Sequence, residues 1–371
     1  MSLYSIIDRY REVDFAGFFA GVTDEMVERS LARDTLSASD LLVLLSPKAG
    51  EGRYLEAMAR KAQRLTVQHF GRTIQLFIPL YISNYCANQC AYCGFNRRNP
   101  IHRQVLSLAE IETEARAIAA TGMQHVLMLT GESQAHTPMD YLTRAAEILK
   151  RHFASVAIEI FPMDTADYRR LQGVGVDGMT LFQETYDEEV YARVHLAGRK
   201  TDYHYRLTAP ERGAAAGFRM INIGALLGLA EPRREVFFTA LHGRYLEDTF
   251  PDTEVSFSLP RFNEAEGHFR PDFQVDDRAF VQFLTALRLF SPRAGITIST
   301  RETAGFRDRL LALGATRYSA GSSTGVGGYA LGRIAENRQF EIADGRSVTE
   351  VAAMIIAHGY QPVFKDWDSI Q

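Results

Sequence analysis

Three thiols in this chain could do chemistry, and they stand together. Cys86, Cys90 and Cys93 are the only cysteines in 371 residues. All three fall in one short stretch, Tyr81 to Asn96, YISNYCANQCAYCGFN. A chain that keeps all its thiols in one loop is using them as a group. Three thiolates that converge on one point read as ligands for iron and sulfur. Four cysteines complete a 4Fe-4S cluster, whereas three leave one iron without a protein ligand and open to a small molecule. Zinc wants four tetrahedral ligands, and no fourth stands at finger spacing. A disulfide would leave one thiol over, and the first residues show no secretory signal, which argues for a reducing compartment.

Such a loop needs a rigid support. From Thr73 onward the chain alternates short apolar runs with amphipathic stretches, and the runs number eight: Gln75 to Ile82, His125 to Thr130, Val156 to Phe161, Gly178 to Gln183, Met220 to Leu226, Glu254 to Leu259, Ile296 to Thr300 and Thr316 to Ala320. Ser107 with Glu110 forms a capping-box signal ahead of Leu108, Ile111, Ala115 and Ile118. Between Asp276 and Phe290, Phe280, Phe283, Leu284 and Leu287 make one stripe. Eight strand-helix alternations predict an α/β fold, a parallel (β/α)8 TIM-type barrel over residues 71–330. Residues 1–70 read as a helical N-terminal extension, with Leu55, Met58, Ala59, Ala62 and Leu65 at helical spacing. Residues 331–371 read as a short C-terminal helix, Val348 to His358, and a tail packing on the barrel, where the single Trp367 is an anchor.

In such a barrel, function collects at the C-terminal ends of the strands. The first run feeds the cysteine loop. Other tips carry Thr130-Gly131-Glu132, Glu159, Gln183-Glu184-Thr185, Gly224 and Gly228, Ser299-Thr300-Arg301-Glu302, and the stretch from Ser319 to Gly328. Polar groups there are costly without partners. The net charge of -4 gives no reason to expect nucleic acid. The apolar run Leu41 to Leu45 is far too short to span a membrane. The expected location is cytoplasmic.

The spacing Cys86-Ala-Asn-Gln-Cys90-Ala-Tyr-Cys93 resembles the CxxxCxxC signature of the radical S-adenosylmethionine (SAM) enzymes. That resemblance implies that SAM chelates the fourth iron of a 4Fe-4S cluster and is split to methionine and a 5'-deoxyadenosyl radical. It places Tyr92 near the adenine. Thr130-Gly131-Glu132-Ser133 is similar to the family's Gly-Gly-Glu-Pro segment, which receives the SAM ammonium. Gly224-Ala-Leu-Leu-Gly228-Leu-Ala-Glu231 is similar to its G-x-I-x-G-x-x-E motif, whose glycines let backbone approach the adenine. By the same likeness Gln183 and Thr185 meet the ribose, Arg206 holds the SAM carboxylate, and Glu159 and Glu184 point into the same pocket.

The likeness runs over almost the whole chain, through CANQCAYCGFN, LTGESQ, LFQETYDEEVYARVHLAGRKTDY, IGALLGL, STRE at Ser299 to Glu302, and the terminal KDWDS. It resembles the aromatic amino acid lyases of the radical SAM enzymes, above all the branch that acts on tyrosine for thiamine thiazole formation. What this implies is removal of hydrogen from the tyrosine amino group, Cα-Cβ cleavage, and release of dehydroglycine and p-cresol. Arg301 would anchor the substrate carboxylate, with Ser319 as a neutral donor. L-tyrosine is then the substrate, a thiazole synthase the receiving protein, and a flavodoxin or ferredoxin the reductant. A lyase acting on tryptophan is the alternative. The hydrogenase-maturation tyrosine lyases are similar through SAGSSTGVGGY, Ser319 to Tyr329, but their second cluster needs cysteines that are missing after Cys93. Biotin-synthase-like sulfur insertion fails on the same ligand count.

Overall fold

The computed structural model describes residues 2–263, 265, 269–333 and 338–367. Asp368 and Ser369, the end of the KDWDS segment, and part of the connection after Gly328 lie outside them. Each of the eight apolar runs is a strand: β1 (Thr73–Ser83), β2 (His125–Thr130), β3 (Ser155–Glu159), β4 (Val176–Glu184), β5 (Met220–Ala225), β6 (Glu254–Ser258), β7 (Gly295–Ile298) and β8 (Arg317–Ser319). Every pair is parallel and each strand lies beside its neighbour in sequence, with β1 bonded to both β8 and β2, so the sheet closes into a barrel. Strands buried on both faces need no alternation, which explains runs such as Val-Ala-Ile and Met-Ile-Asn-Ile.

The helices between strands form as their caps dictate. Ser107 and Glu110 make a reciprocal capping box at the start of helix Leu108–Ala119, and Asp276 caps Asp277–Phe290 through the Ala279 amide. Five helices precede β1. The fourth, Ala38–Leu45, is apolar on nearly all sides and its residues Leu41 to Leu45 are buried, so it packs between the barrel helices Pro232–Thr249 and Asp277–Phe290. The backbone carbonyls near its end are taken by side chains: Gln282 donates to Leu44 and Ser46, and Arg233 donates to Leu45.

A ninth strand, β9 (Gln361–Val363), has no counterpart among the apolar runs. It pairs in parallel with the overhanging start of β1, Thr73 to Gln75. Beyond it Asp366 Oδ1 lies 2.9 Å from His125 Nε2 at the start of β2, and the Trp367 ring sits under the cations of Arg219 and Lys150. The Trp367 ring thereby makes two cation contacts. The tail closes the N-terminal end of the barrel.

Two strands lose regular register at their C-terminal tips, β1 between Tyr81 and Ser83 and β4 between Phe182 and Glu184. Such irregularities re-aim side chains where pairing ends. Both border the cysteine loop.

Candidate active site

The cysteine loop is held by backbone on every side. Ala87 donates to the Glu132 carbonyl beyond β2, and Gln89 and Ala91 donate to the carbonyls of Ala197 and Val194 beyond β4. The Arg103 guanidinium gathers the carbonyls of Asn84, Phe95, Asn96 and Asn99. Gly131 has to be glycine: a Cβ there would stand 2.4 Å from the Tyr85 carbonyl oxygen, so only a bare backbone lets the tip of β2 lie against the loop. Asn88 ties three segments together, donating to Glu132 at 2.6 Å and accepting from the Lys200 amide. The three cysteines are free thiols lining one chamber. Burial pushes the Cys90 thiol up to about 12 and raises Cys93 as well.

Opposite the thiols lies a charged group. The Lys200 ammonium is 2.6 Å from Glu184 Oε1, and Arg206, 3.5 Å from the same oxygen, also donates to the Phe182 carbonyl. Burial pushes the Glu184 carboxyl up, but Lys200 and Arg206 together hold it below its ordinary value. Glu184 is the one non-glycine with a positive φ, 73°, among the described residues. That strain sits at the chamber wall, where the surrounding ion pairs over-determine it. Tyr92 is buried against Leu226, Leu229 and Val194, its hydroxyl 2.8 Å from His195 Nε2. His195 Nδ1 lies 2.9 Å from the Tyr191 carbonyl, which can only accept, so Nδ1 bears the proton and Nε2 accepts from Tyr92. Burial, with Lys200 adding, lowers His195 to about 3, which keeps it neutral.

A second chamber continues from the first, and the two share Tyr81, Leu129, Glu159 and Phe182. It descends into the barrel past Phe77, Asn222 and Thr297, and its far wall carries Arg301, Ser319, Ser322 and Phe340. The Arg301 guanidinium stacks on Phe340, 3.4 Å from the ring centre. Glu302, its sequence neighbour, is taken by Arg261. Ser319 Oγ accepts from the Thr300 amide at 3.1 Å, which fixes the turn that carries Arg301.

The structure therefore brings Cys86, Cys90, Cys93, Thr130, Gly131, Glu132, Glu159, Glu184 and Arg206 to one chamber, and Arg301 and Ser319 to the adjoining one. Gln183 and Thr185 line neither. They flank the inward-facing Glu184, and Thr185 is buried with its hydroxyl donating to Glu235. Gly224 and Gly228 line neither chamber either. The Cβ that Gly224 lacks would stand 1.8 Å from the Ser258 carbonyl oxygen on β6, and Gly228, with φ +123°, would meet Pro271 and Phe273. Their smallness serves strand packing and a turn. Sequence reasoning missed Lys200, Asn88, His195, Gln339 and Phe340. The only available signal was membership of Asn88, His195 and Lys200 in the quoted motif segments. Gln339 accepts from Tyr81 and its amide nitrogen lies 3.8 Å from Cys93 Sγ; its stretch carries no pattern at all.

Residues 80–239 match the model of the radical SAM superfamily, and residues 258–361 that of the biotin and thiamin synthesis associated domain. The chain is 42% identical over 366 residues to the 2-iminoacetate synthase of Escherichia coli strain K12, covering 98% of this chain and 96% of that one. Against the 2-iminoacetate synthase of Salmonella typhimurium strain LT2 the identity is 40% over the same shares. The chain belongs to the 2-iminoacetate synthase family of radical SAM lyases. Among solved structures, the FeFe-hydrogenase maturase HydG from Carboxydothermus hydrogenoformans superposes with a TM-score of 0.84 at 31% identity, over 98% of this chain and 83% of that one.

The radical SAM family implies a 4Fe-4S cluster and SAM, and the residues of this member fit both. The three thiols line one wall of a chamber whose other walls supply carboxylates, cations and the Thr130 hydroxyl, a buried group with no protein partner. Among the described residues no helix is long and apolar enough to cross a membrane.

Proposed function

We propose that this chain cleaves the Cα-Cβ bond of L-tyrosine, giving 2-iminoacetate (dehydroglycine) and p-cresol, and so supplies the thiazole moiety of thiamine. One observation carries the choice of an amino-acid substrate: an Arg301 guanidinium with no carboxylate partner among the described residues lines a chamber that opens into the cysteine chamber. A planar, permanently charged fork suits a carboxylate. Its stacking on Phe340 fixes the plane of that fork without using its donors. The aromatic ring of the substrate has Phe77, Pro79, Leu127 and Phe182 to lie against, and Ser322 and Thr297 offer buried hydroxyls with no protein partner.

Cys86, Cys90 and Cys93 would hold the cluster, with Glu132, Glu184, Arg206, Lys200 and Tyr92 around SAM. When bound, the cluster and SAM supply the 5'-deoxyadenosyl radical that takes a hydrogen from the substrate amino group. The chain's own part is to hold that nitrogen at the junction of the chambers, to fix the carboxylate on Arg301, and to exclude water, since the imine product hydrolyses readily. A flavodoxin or ferredoxin would deliver the electron and a thiazole synthase would receive the product. Three free thiols and a reduced cluster fit a reducing, cytoplasmic setting. Incubation of the anaerobically reconstituted protein with SAM, dithionite and tyrosine tests the reading: p-cresol is expected, and 3-methylindole from tryptophan in its place would move the substrate assignment.

A further inference from the structure

Two side chains of opposite charge line the second chamber with no ion-pair partner among the described residues. Arg301, beyond the tip of β7, makes no ion pair, and Glu159, the last residue of β3, makes neither an ion pair nor a side-chain hydrogen bond among the described residues. In a closed sheet of eight sequential strands, β3 and β7 stand four apart, on opposite sides of the barrel. Desolvated charges without partners are costly, and the barrel keeps this pair separated. A ligand that satisfies both must present an anion to one side and a cation to the other. An α-amino acid zwitterion does so. Glu159 also differs from Arg301 in position, since it lines both chambers while Arg301 lines only the deeper one. The cationic end of the ligand is thereby set nearest the cysteines.

We propose that Glu159 binds the α-ammonium group of the substrate and accepts one of its protons, the step that readies the nitrogen for loss of a hydrogen atom. The inference rests on reading this chamber as the tyrosine site. It reassigns Glu159 from the SAM pocket to the substrate. The chemistry balances without a further reactant. An N–H bond breaks with its electron pair left on nitrogen, an O–H bond forms on the Glu159 carboxylate, and a neutral amine faces a neutral carboxyl. A neutral amine is the better hydrogen donor, because taking a hydrogen atom from an ammonium would leave both charge and radical on one nitrogen. The groups that face Glu159 are Tyr81 on β1, Glu184 on β4, Lys200 and Arg206 beyond β4, and Arg301 beyond β7. Burial, then the Glu184 charge, pushes the Glu159 carboxyl up to about 7, against the pull of the three cations. A group titrating there exchanges protons readily at neutral pH.

The test uses the reconstituted holoenzyme with SAM and no reductant, so that binding is read without turnover. Calorimetry compares tyrosine with 3-(4-hydroxyphenyl)propanoate, which has the same ring and carboxylate but no amine. Glu159→Gln is expected to weaken tyrosine about tenfold to a hundredfold while moving the amine-free acid less than about twofold and leaving SAM affinity unchanged. Glu159→Asp, which keeps the charge, should retain a preference for tyrosine. Under turnover the wild type should lose rate as pH falls through about 7, and Glu159→Gln should lack that limb. The proposal is overturned if Glu159→Gln binds tyrosine as the wild type does, or if it loses SAM and tyrosine in parallel. A wild type that discriminates the two acids but forms no p-cresol contradicts the lyase reading instead, so the two failures are distinguishable.

Discussion

The two ends of this barrel are both rich in buried charge, and they treat it in opposite ways. At the N-terminal end Arg219 lies between Asp177 and Glu254, His125 meets Asp366, and Trp367 rests on two cations. Arg219, Asp177, Glu254, His125 and Asp366 are thus paired with one another within the chain. At the C-terminal end Arg301 and Glu159 face open chambers, Thr130, Thr297 and Ser322 keep hydroxyls without protein partners, and Glu184 holds a strained backbone. Charge satisfied within the chain stabilises the chain. Charge left unsatisfied at a cavity wall is reserved for something that enters.

Substitutions at the two ends should therefore separate activity from stability. The largest effect is expected from Cys90→Ser, which removes a buried member of the thiol trio proposed to hold the cluster. Iron content and the reduced-state EPR signal should both fall, and p-cresol formation should drop to background. Next comes Arg301→Ala. Loss of a buried charged contact lowers kcat/KM for tyrosine roughly a hundredfold or more, while SAM affinity, read by equilibrium dialysis, stays within about twofold. Equal losses of both would remove Arg301 from the substrate site.

At the other end the order reverses, with stability affected and chemistry spared. Asp366→Asn should cost about 1 kcal/mol, a shift in Tm of roughly 2 °C, with KM and kcat for tyrosine unchanged. Burial raises the Asp366 carboxyl but His125 and nearby arginines hold it below its ordinary value. Its contribution is thus present above the unfolded-state pKa and is lost as pH falls through the lowered folded value. The Tm difference between wild type and Asp366→Asn should shrink in acid. Trp367→Leu should show the smallest change, about 0.5–1 kcal/mol from the lost cation contacts, and an altered turnover rate in that variant would break the contrast between the ends.

The sequence made the barrel and the thiol loop legible for physical reasons. Strands buried on both faces leave unbroken apolar runs, and three cysteines in one loop have few other uses. The short strand Gln361–Val363 was illegible because Pro362 and two polar-flanked positions carry no pattern. It forms only because β1 overhangs its neighbours. Lys200 reads as one more surface cation in Gly-Arg-Lys until the fold turns it onto Glu184. Strand-tip placement fixes depth but not facing: Thr185, one step beyond Glu184, turns its hydroxyl to Glu235.

The most direct measurement follows the carbon products of one reaction. Anaerobically reconstituted protein is mixed with SAM and dithionite, and tyrosine and tryptophan are supplied in parallel. p-Cresol should appear together with 5'-deoxyadenosine in the tyrosine arm and no indole product in the other. SAM cleavage with no p-cresol, or 3-methylindole as the dominant product, would contradict a tyrosine lyase built on these two chambers.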